Sequence, residues 1–502
     1  MNVHDLLAIP QGRNSGKVAL RAAGQDGDPL DLTYAELHAR ARRLAAGLQK
    51  WGLAKGDRVA FFVSSRAEFV IAYLAVIRIG AVVVPINLRY RRLEIGHILA
   101  DCAPRLLISE GEQMAVLAEV GKEADCLEAT LLVDDWDDWF AEEATPPVVE
   151  GNDTALIVYT SGTTGRSKGA VISHNNLLAT ISGLLSAWAW EQDDRLLLCL
   201  PLFHVHGLVV GLHCALAAGA TVLLHSRFSL SDIVDDLAGG EPTLFFAVPT
   251  IYVRLIDELA QRGAVNLDHM RLFCSGSAPL AAETHQEFER LTGQIILERY
   301  GMTETGMNLS NPYAGPRIPG TVGTPLPGVF MRIVDEAMQD LQPGQEGMLL
   351  VRGSNVFSAY WNAPEKTAQS FVHDAQGECW FITGDLARQD GESGYVTLLG
   401  RSHELIISGG FNIYPREIEE MLVTYEGVDE AAVIGLADPE WGEVPIAYLV
   451  CSASVDARAL GAYCRGQLAS FKVPREFHTI GELPRNAMGK LQKHLLKGAS
   501  DA

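Results

Sequence analysis

The chain has 502 residues, 48% hydrophobic and 20% charged, which excludes wholesale disorder and fibrous repeats and leaves room for two to four domains of about 150 residues. Lysine plus arginine total 40 against 62 acidic residues, a net charge of −22. That field disfavours nucleic acid and anionic membranes, so an anionic substrate must meet local cations or amides.

The start, MNVHDLLAIPQGRNSG, lacks the apolar run of a signal peptide and the arginine-rich pattern of a transit peptide. Helical spacing predicts a helix over Leu32 to Leu53, starting at Thr33, and the Gly56-Asp57 turn leads to the strand RVAFFV. A second helix, Glu68 to Ile79, precedes the strand AVVVPIN, and a third precedes RLLIS. Helices of this length between strands predict right-handed crossovers and a largely parallel sheet. The rhythm returns in LIVYT (156–160), TVLL (221–224), TLFFAV (243–248) and MRLFCSG (270–276). Gly207 to Leu224 is long enough for a membrane span, but His213, three glycines and a strand-like end favour a buried helix followed by a buried strand. After Gly320, MRIV, GMLLVRG and YVTLLG read as short antiparallel strands of a small barrel-like subdomain. Residues 404–502 carry their own small α/β pattern, enough for a separate domain. The expectation is an α/β protein: a large body of layered, mostly parallel sheets (1–400) and a small mobile C-terminal domain (401–502). The eight cysteines lie far apart with no C-x-x-C pair, which argues against structural zinc or disulfide staples and suits a reducing, cytoplasmic setting.

Chemistry concentrates in Tyr159-Thr-Ser-Gly-Thr-Thr-Gly-Arg-Ser-Lys-Gly169. Three glycines and five serine or threonine hydroxyls beside a lysine suit a loop whose amides, hydroxyls and ammonium surround a polyphosphate. It is not a Walker loop, because Gly165 is followed by Arg166-Ser167-Lys168.

Together with Tyr300-Gly-Met-Thr-Glu-Thr305, Thr383-Gly-Asp385, Gly400-Arg401, Ile407-Ser-Gly-Gly-Phe411 and Pro484-Arg-Asn-Ala-Met-Gly-Lys490, this loop resembles the adenylate-forming superfamily over nearly the whole chain. The resemblance implies a two-step ligase. A carboxylate attacks the α-phosphate of ATP to give an acyl-adenylate and pyrophosphate, and a thiol then displaces AMP. No protein nucleophile is required, so positioning and charge neutralisation must carry catalysis.

By the same resemblance, Thr160, Ser161, Gly162, Thr163, Thr164, Gly165 and Lys168 hold phosphates. Gly276, Ser277 and Ala278 flank the adenine, and Tyr300, Gly301 and Met302 lie beside it. Thr303 donates to the α-phosphate, and Glu304, with Thr164, holds Mg²⁺, a hard ion suited to oxygen ligands. Asp385 accepts from the ribose hydroxyls and Arg401 supplies a donor fork nearby. Lys490 serves adenylation, while Gly409 and Gly410 let the backbone line the CoA pantetheine path. One lid cannot present both, so it must rotate between the steps. Two departures stand out: Ser167 replaces a frequent proline, and His403 occupies a hinge position usually Asp or Lys. No carrier-like serine motif follows Lys490, which favours CoA as acceptor.

Pro201-Leu-Phe-His-Val-His-Gly207, Met270–Phe273 and Glu298–Tyr313 resemble malonyl-CoA synthetases more than fatty-acid or aromatic-acid ligases. A dicarboxylate brings a second charge that must be buried with a partner. Arg271 is the expected partner, with His206, Met307 and Ser310 as pocket neighbours and His204 gating the entrance. The alternative is a short, branched or aromatic monocarboxylate. The expected partners are small molecules only, without nucleic acid or a membrane span; monomer and homodimer both remain open.

Overall fold

A computed structural model describes residues 2–23, 28–160, 167–263, 265–408, 411–438, 441–468, 470–486 and 490–497. The chain divides into two compact units, residues 1–330 with 351–381, and residues 331–350 with 382–502.

The first unit is built on two sheets. In the nine-stranded one, six strands run parallel in the order Leu297–Met302, Leu272–Ser275, Leu244–Ala247, Arg195–Leu198, Thr221–Leu224 and Val18–Ala23. The seven-stranded sheet has a parallel series of Thr154–Thr160, Val82–Pro85, Arg58–Phe62, Leu106–Ser109 and Ala129–Leu132. The inner parallel strands, such as Val82–Pro85, Leu106–Ser109 and Leu244–Ala247, are apolar runs buried on both faces, as helices on both sides of such a sheet require. Three of the four ends of these parallel series continue in antiparallel pairs, Pro29–Thr33 on Val18–Ala23, Gly306–Ser310 on Leu297–Met302, and Lys168–Ser173 on Thr154–Thr160, while Ala129–Leu132 is a parallel edge. A tight hairpin needs only a short turn where a parallel crossover needs a helix, so the sheets end in loops free to carry chemistry.

The helix predicted from Leu32 spans Tyr34–Trp51, with Thr33 accepting from the Glu36 amide in a capping box and Gly52 ending it at φ 110°. Such caps satisfy amides and carbonyls that the helix itself cannot. Gly207–Leu224 resolves into a π-helix, His206–His213, the helix Cys214–Ala218 and the buried strand Thr221–Leu224. Among the described residues, no helix is long and apolar enough to cross a membrane.

Beyond Gly320, Val329–Val334, Glu346–Gly353, Cys379–Gln389, Phe371–His373 and Val396–Arg401 make a five-stranded sheet. Residues 404–502 carry the predicted α/β pattern: helices Pro415–Leu422 and Ala457–Gln467, and the long antiparallel pair Val428–Asp438 and Gly442–Cys451. Ile406, Ile418, Leu422, Val433 and Leu460 share a core on one face of that pair.

Candidate active site

The phosphate loop is the turn of an antiparallel hairpin. Thr154–Thr160 pairs with Lys168–Ser173 so that Thr160 faces Lys168. Ser161, Gly162, Thr163, Thr164 and Gly165 lie outside the described residues. The loop's stems are fixed from outside: the Tyr159 hydroxyl donates to Asp101 Oδ2 at 2.5 Å, Trp361 Nε1 donates to the Asp101 carbonyl, and His97 Nε2 meets the Ser167 carbonyl at 2.8 Å. A Cβ at Gly169 would stand 2.6 Å from Ile157 Cγ2, so glycine is required by close approach. Burial, then the neighbouring Lys366, lowers the Lys168 pKa, while Glu304 raises it.

Thr303, Glu304 and Thr305 form the turn of a second hairpin, Leu297–Met302 with Gly306–Ser310. Gly306 sits at φ 58°, where a Cβ would also stand 2.3 Å from Thr180 Oγ1. Glu304 is 6% exposed, and its Oε1 accepts from the Tyr360 hydroxyl at 2.9 Å and from Thr160 Oγ1 at 3.4 Å. Asn355 Nδ2 donates to the Thr305 and Met307 carbonyls and holds the turn. Among the described residues no cluster of three His, Cys, Asp or Glu side chains forms a metal cage. One buried carboxylate with flanking hydroxyls suits Mg²⁺, which keeps waters and phosphate oxygens as its other ligands. Tyr360 carried no sequence signal, since it is separated from Glu304 by 56 positions. Tyr360→Phe should raise the Mg²⁺ concentration for half-maximal ATP binding about tenfold, as loss of an outer-shell partner does. Calorimetry of ATP binding across a Mg²⁺ series checks this, and an unchanged Mg²⁺ requirement would remove Tyr360 from the site.

The turn Gly276-Ser277-Ala278 follows the strand Leu272–Ser275, with Ser277 at φ 71°, a strained position for a residue with a side chain. A Cβ at Gly276 would stand 2.4 Å from Arg299 Cζ. Ser277 Oγ lies 3.1 Å from His206 Nδ1, and the His206 amide donates to His204 Nδ1. The π-helix that begins at His206 is a widened turn of the kind often found at functional sites. Arg299 is 3% exposed, and its Nε and Nη2 have no hydrogen-bond partner. His206 Nε2, equally buried, also lacks one. Burial first, then the Arg299 charge, pushes the His206 pKa well below its usual value. Sequence reasoning missed Arg299. Its signal was a charged pair, Glu298-Arg299, inside a strand otherwise apolar.

Arg271 has a protein partner instead. Its Nε and Nη2 donate to both oxygens of Asp194 at 2.9 and 2.6 Å, and its guanidinium lies 4.9 Å from the Tyr313 ring centroid. Asp194 is 3% exposed. The Ser310 hydroxyl accepts from Trp188 Nε1 and donates to the Asn311 carbonyl. Met307 is buried, its Cε 2.3 Å from where a Gly301 Cβ would stand. Tyr300 is buried in the strand, and its hydroxyl points to Met302 Sδ at 3.9 Å.

In the second unit, Asp385 faces Arg401 across a strand pair. Arg401 Nε lies 3.0 Å from Asp385 Oδ1, and Nη1 donates to the Thr383 carbonyl. Lys490 is exposed, and its backbone is stapled to Asn486: its amide donates to Asn486 Oδ1 and its carbonyl accepts from the Asn486 amide. Gly409, Gly410 and the His403 side chain lie outside the described residues.

Comparison with known proteins agrees with these motifs. The AMP-binding enzyme family matches residues 10–361 and its C-terminal domain matches 417–490. The mitochondrial malonate–CoA ligase ACSF3 of Homo sapiens is 36% identical, covering 92% of this chain and 87% of that protein. An indoleacetate–CoA ligase of Aromatoleum aromaticum is also 36% identical, over 98% and 97%. The crystal structure of ATP-bound MatB from Rhodopseudomonas palustris superposes with a TM-score of 0.90 at 40% identity, covering 99% of both chains. Phosphate hairpin, acidic turn and C-terminal lysine loop thus occur in a chain that belongs to the AMP-binding, adenylate-forming enzymes and is an AMP-forming acyl-CoA synthetase.

Proposed function

We propose that the acid is malonate and the product malonyl-CoA, with ATP, Mg²⁺ and CoA as the other reactants. Lys168 and the loop of residues 161–165 bind the polyphosphate, Thr303 donates to the α-phosphate, and Asp385 with Arg401 engages the ribose. Gly276 to Ala278 and Tyr300 to Met302 flank the adenine. Glu304 with Thr164 would hold Mg²⁺, which would supply charge neutralisation at the phosphates. Lys490 places its ammonium on the charge developing between the carboxylate and the α-phosphate. Residues 401–502 then turn about His403, and Gly409 and Gly410 line the path of the CoA thiol. His204 gates the acyl entrance.

The observation that carries the choice of acid is Arg299. A buried guanidinium without a carboxylate partner among the described residues is costly unless a ligand supplies the anion. The distal carboxylate of malonate supplies it, accepting from Arg299 and from His206 Nε2, beside Met307. Arg271, already paired with Asp194, then shapes the pocket wall through Trp188 and Ser310 instead of binding the acid. The relatedness to an indoleacetate ligase keeps aromatic monocarboxylates as the rival.

The test is thioester formation with malonate, methylmalonate, succinate, acetate, benzoate and indoleacetate, repeated with Arg271→Ala. Malonate should lead in both proteins. Arg271→Ala should lower stability by about 3 kcal/mol, because the buried Asp194 carboxylate loses its guanidinium and keeps only the Thr243 hydroxyl and Glu191 amide, yet keep the ranking. A monocarboxylate in first place would overturn the reading. Loss of the malonate preference in a folded Arg271→Ala would return the carboxylate-binding role to Arg271.

A further inference from the structure

The segment just beyond Lys490 holds a buried charge cluster that the reaction as described does not use. Lys493 Nζ lies 2.7 Å from Glu419 Oε1 and 3.1 Å from Glu404 Oε2, with the lysine side chain 13% exposed. Glu419 belongs to the helix Pro415–Leu422, and its Oε1 also accepts from the Val433 amide. Glu404 closes the 3-10 turn Ser402–Glu404, immediately after Arg401. Two carboxylates thus converge on one largely buried ammonium. Burial accordingly raises the Glu419 pKa, against the pull of Lys493. The ammonium has three donors, and Glu419 and Glu404 each take one. The Glu404 carboxylate stands where the chain leaves the hinge turn.

The other fastenings of this segment are also in place. Arg485 bridges Leu491, the Gln492 amide donates to the Pro484 carbonyl, and Leu496 is buried with the Tyr448 hydroxyl donating to its carbonyl. The Lys490 loop is therefore held at both ends, and Lys493 is the link that reaches the hinge.

We propose that Lys493 is the positioning residue for Lys490: through Glu404 it ties the lysine loop to the hinge turn, so that rotation of residues 401–502 delivers the Lys490 ammonium as one rigid piece. The inference rests on the adenylation role proposed for Lys490. The physical requirement is strict, because an ammonium misplaced by about 1 Å can cost on the order of 100-fold in rate.

The two half-reactions separate this from a structural role. Adenylation is read as pyrophosphate release from ATP and acid, thioesterification as CoA consumption with supplied acyl-adenylate. Glu404→Gln keeps the Lys493–Glu419 pair and removes one ionic contact to a carboxylate whose side chain is 30% exposed, so its melting temperature should fall little. Its adenylation should nevertheless fall about tenfold or more, with thioesterification unchanged. Lys493→Met should show the same split more strongly, and Lys493→Arg should recover part of it. Equal loss in both half-reactions, tracking a lowered melting temperature, would reduce the cluster to structure and overturn the proposal. Wild-type adenylation in Glu404→Gln and Lys493→Met, while Lys490→Ala is inactive in that step, would overturn the tether alone. Wild-type adenylation in Lys490→Ala would overturn the role of Lys490 and the tether with it.

Discussion

Arg299→Met is expected to make the protein more stable and a worse malonate ligase. The guanidinium is 3% exposed, with Nε and Nη2 unpartnered, and burial lowers its pKa, the mark of a charge out of place in the free enzyme. Replacing such a group by an apolar side chain of similar volume is worth about 1–4 kcal/mol of stability. The same change removes the cation that meets the distal carboxylate. Loss of one partner of a buried charge pair costs roughly 2–5 kcal/mol in binding, so kcat/KM for malonate should fall about 30-fold or more. Monocarboxylates should lose far less and may be measured in the same assay as the internal control. Thermal unfolding without ligands and kcat/KM for malonate and acetate form the experiment. A destabilised variant that keeps malonate activity would show that Arg299 serves packing around Gly276 and Cys274 and does not bind the acid.

How far the sequence went depended on how local each feature is. Eleven consecutive residues, 159–169, state a phosphate loop, because amides, hydroxyls and an ammonium from one turn suffice. The helices read from Leu32 and Glu68 hold because their apolar spacing and caps are local too: they span Tyr34–Trp51 and Ala67–Ile79. Arg271 and Arg299 were indistinguishable by such rules, both being arginines in apolar strands. What separates them is Asp194, 77 positions away in sequence and bidentate on Arg271. Tyr360 on Glu304 and Lys493 on Glu404 are likewise products of the fold. The N-terminal helix Val3–Arg13 escaped notice because its period is broken by Pro10 and Gly12. The antiparallel edge Pro29–Thr33 escaped because its five residues begin with proline and carry too short an apolar pattern to signal a strand.

Acid should unfold the first unit well before its carboxylates titrate, because of six buried histidines whose pKa burial lowers, His206 and His285 together with four others. His4, His38, His174 and His213 come from the helices Val3–Arg13, Tyr34–Trp51 and His174–Ala187 and the π-helix His206–His213. His4 and His38 have ring centroids 6.3 Å apart, the Val3 amide donates to His174 Nδ1, and His213 lies 5.2 Å from Tyr73. Burial is the first cause in each and pushes the pKa to about 4 for His4, His38 and His174 and about 3 for His213. Arg42 and Arg78 lower His4 and His38 further, whereas Asp5 and Asp153 partly offset burial at His4 and His174. The folded values lie below the unfolded 6.5, so below that pH the unfolded chain binds more protons. Stability is complete above pH 6.5 and is lost as pH falls from 6.5 towards 4. Each histidine contributes a slope of at most about 1.4 kcal/mol per pH unit, so these four give up to about 5.6. That is comparable with the whole stability of an ordinary domain over two to three units. The urea midpoint should therefore drop steeply between pH 6.5 and 5, where most Asp and Glu remain ionised. His38→Gln with His213→Phe removes two of the six and should lower the slope by about a third, since neither replacement can take a proton. A midpoint flat across that interval would mean that the folded unit protonates these rings as readily as the unfolded chain does.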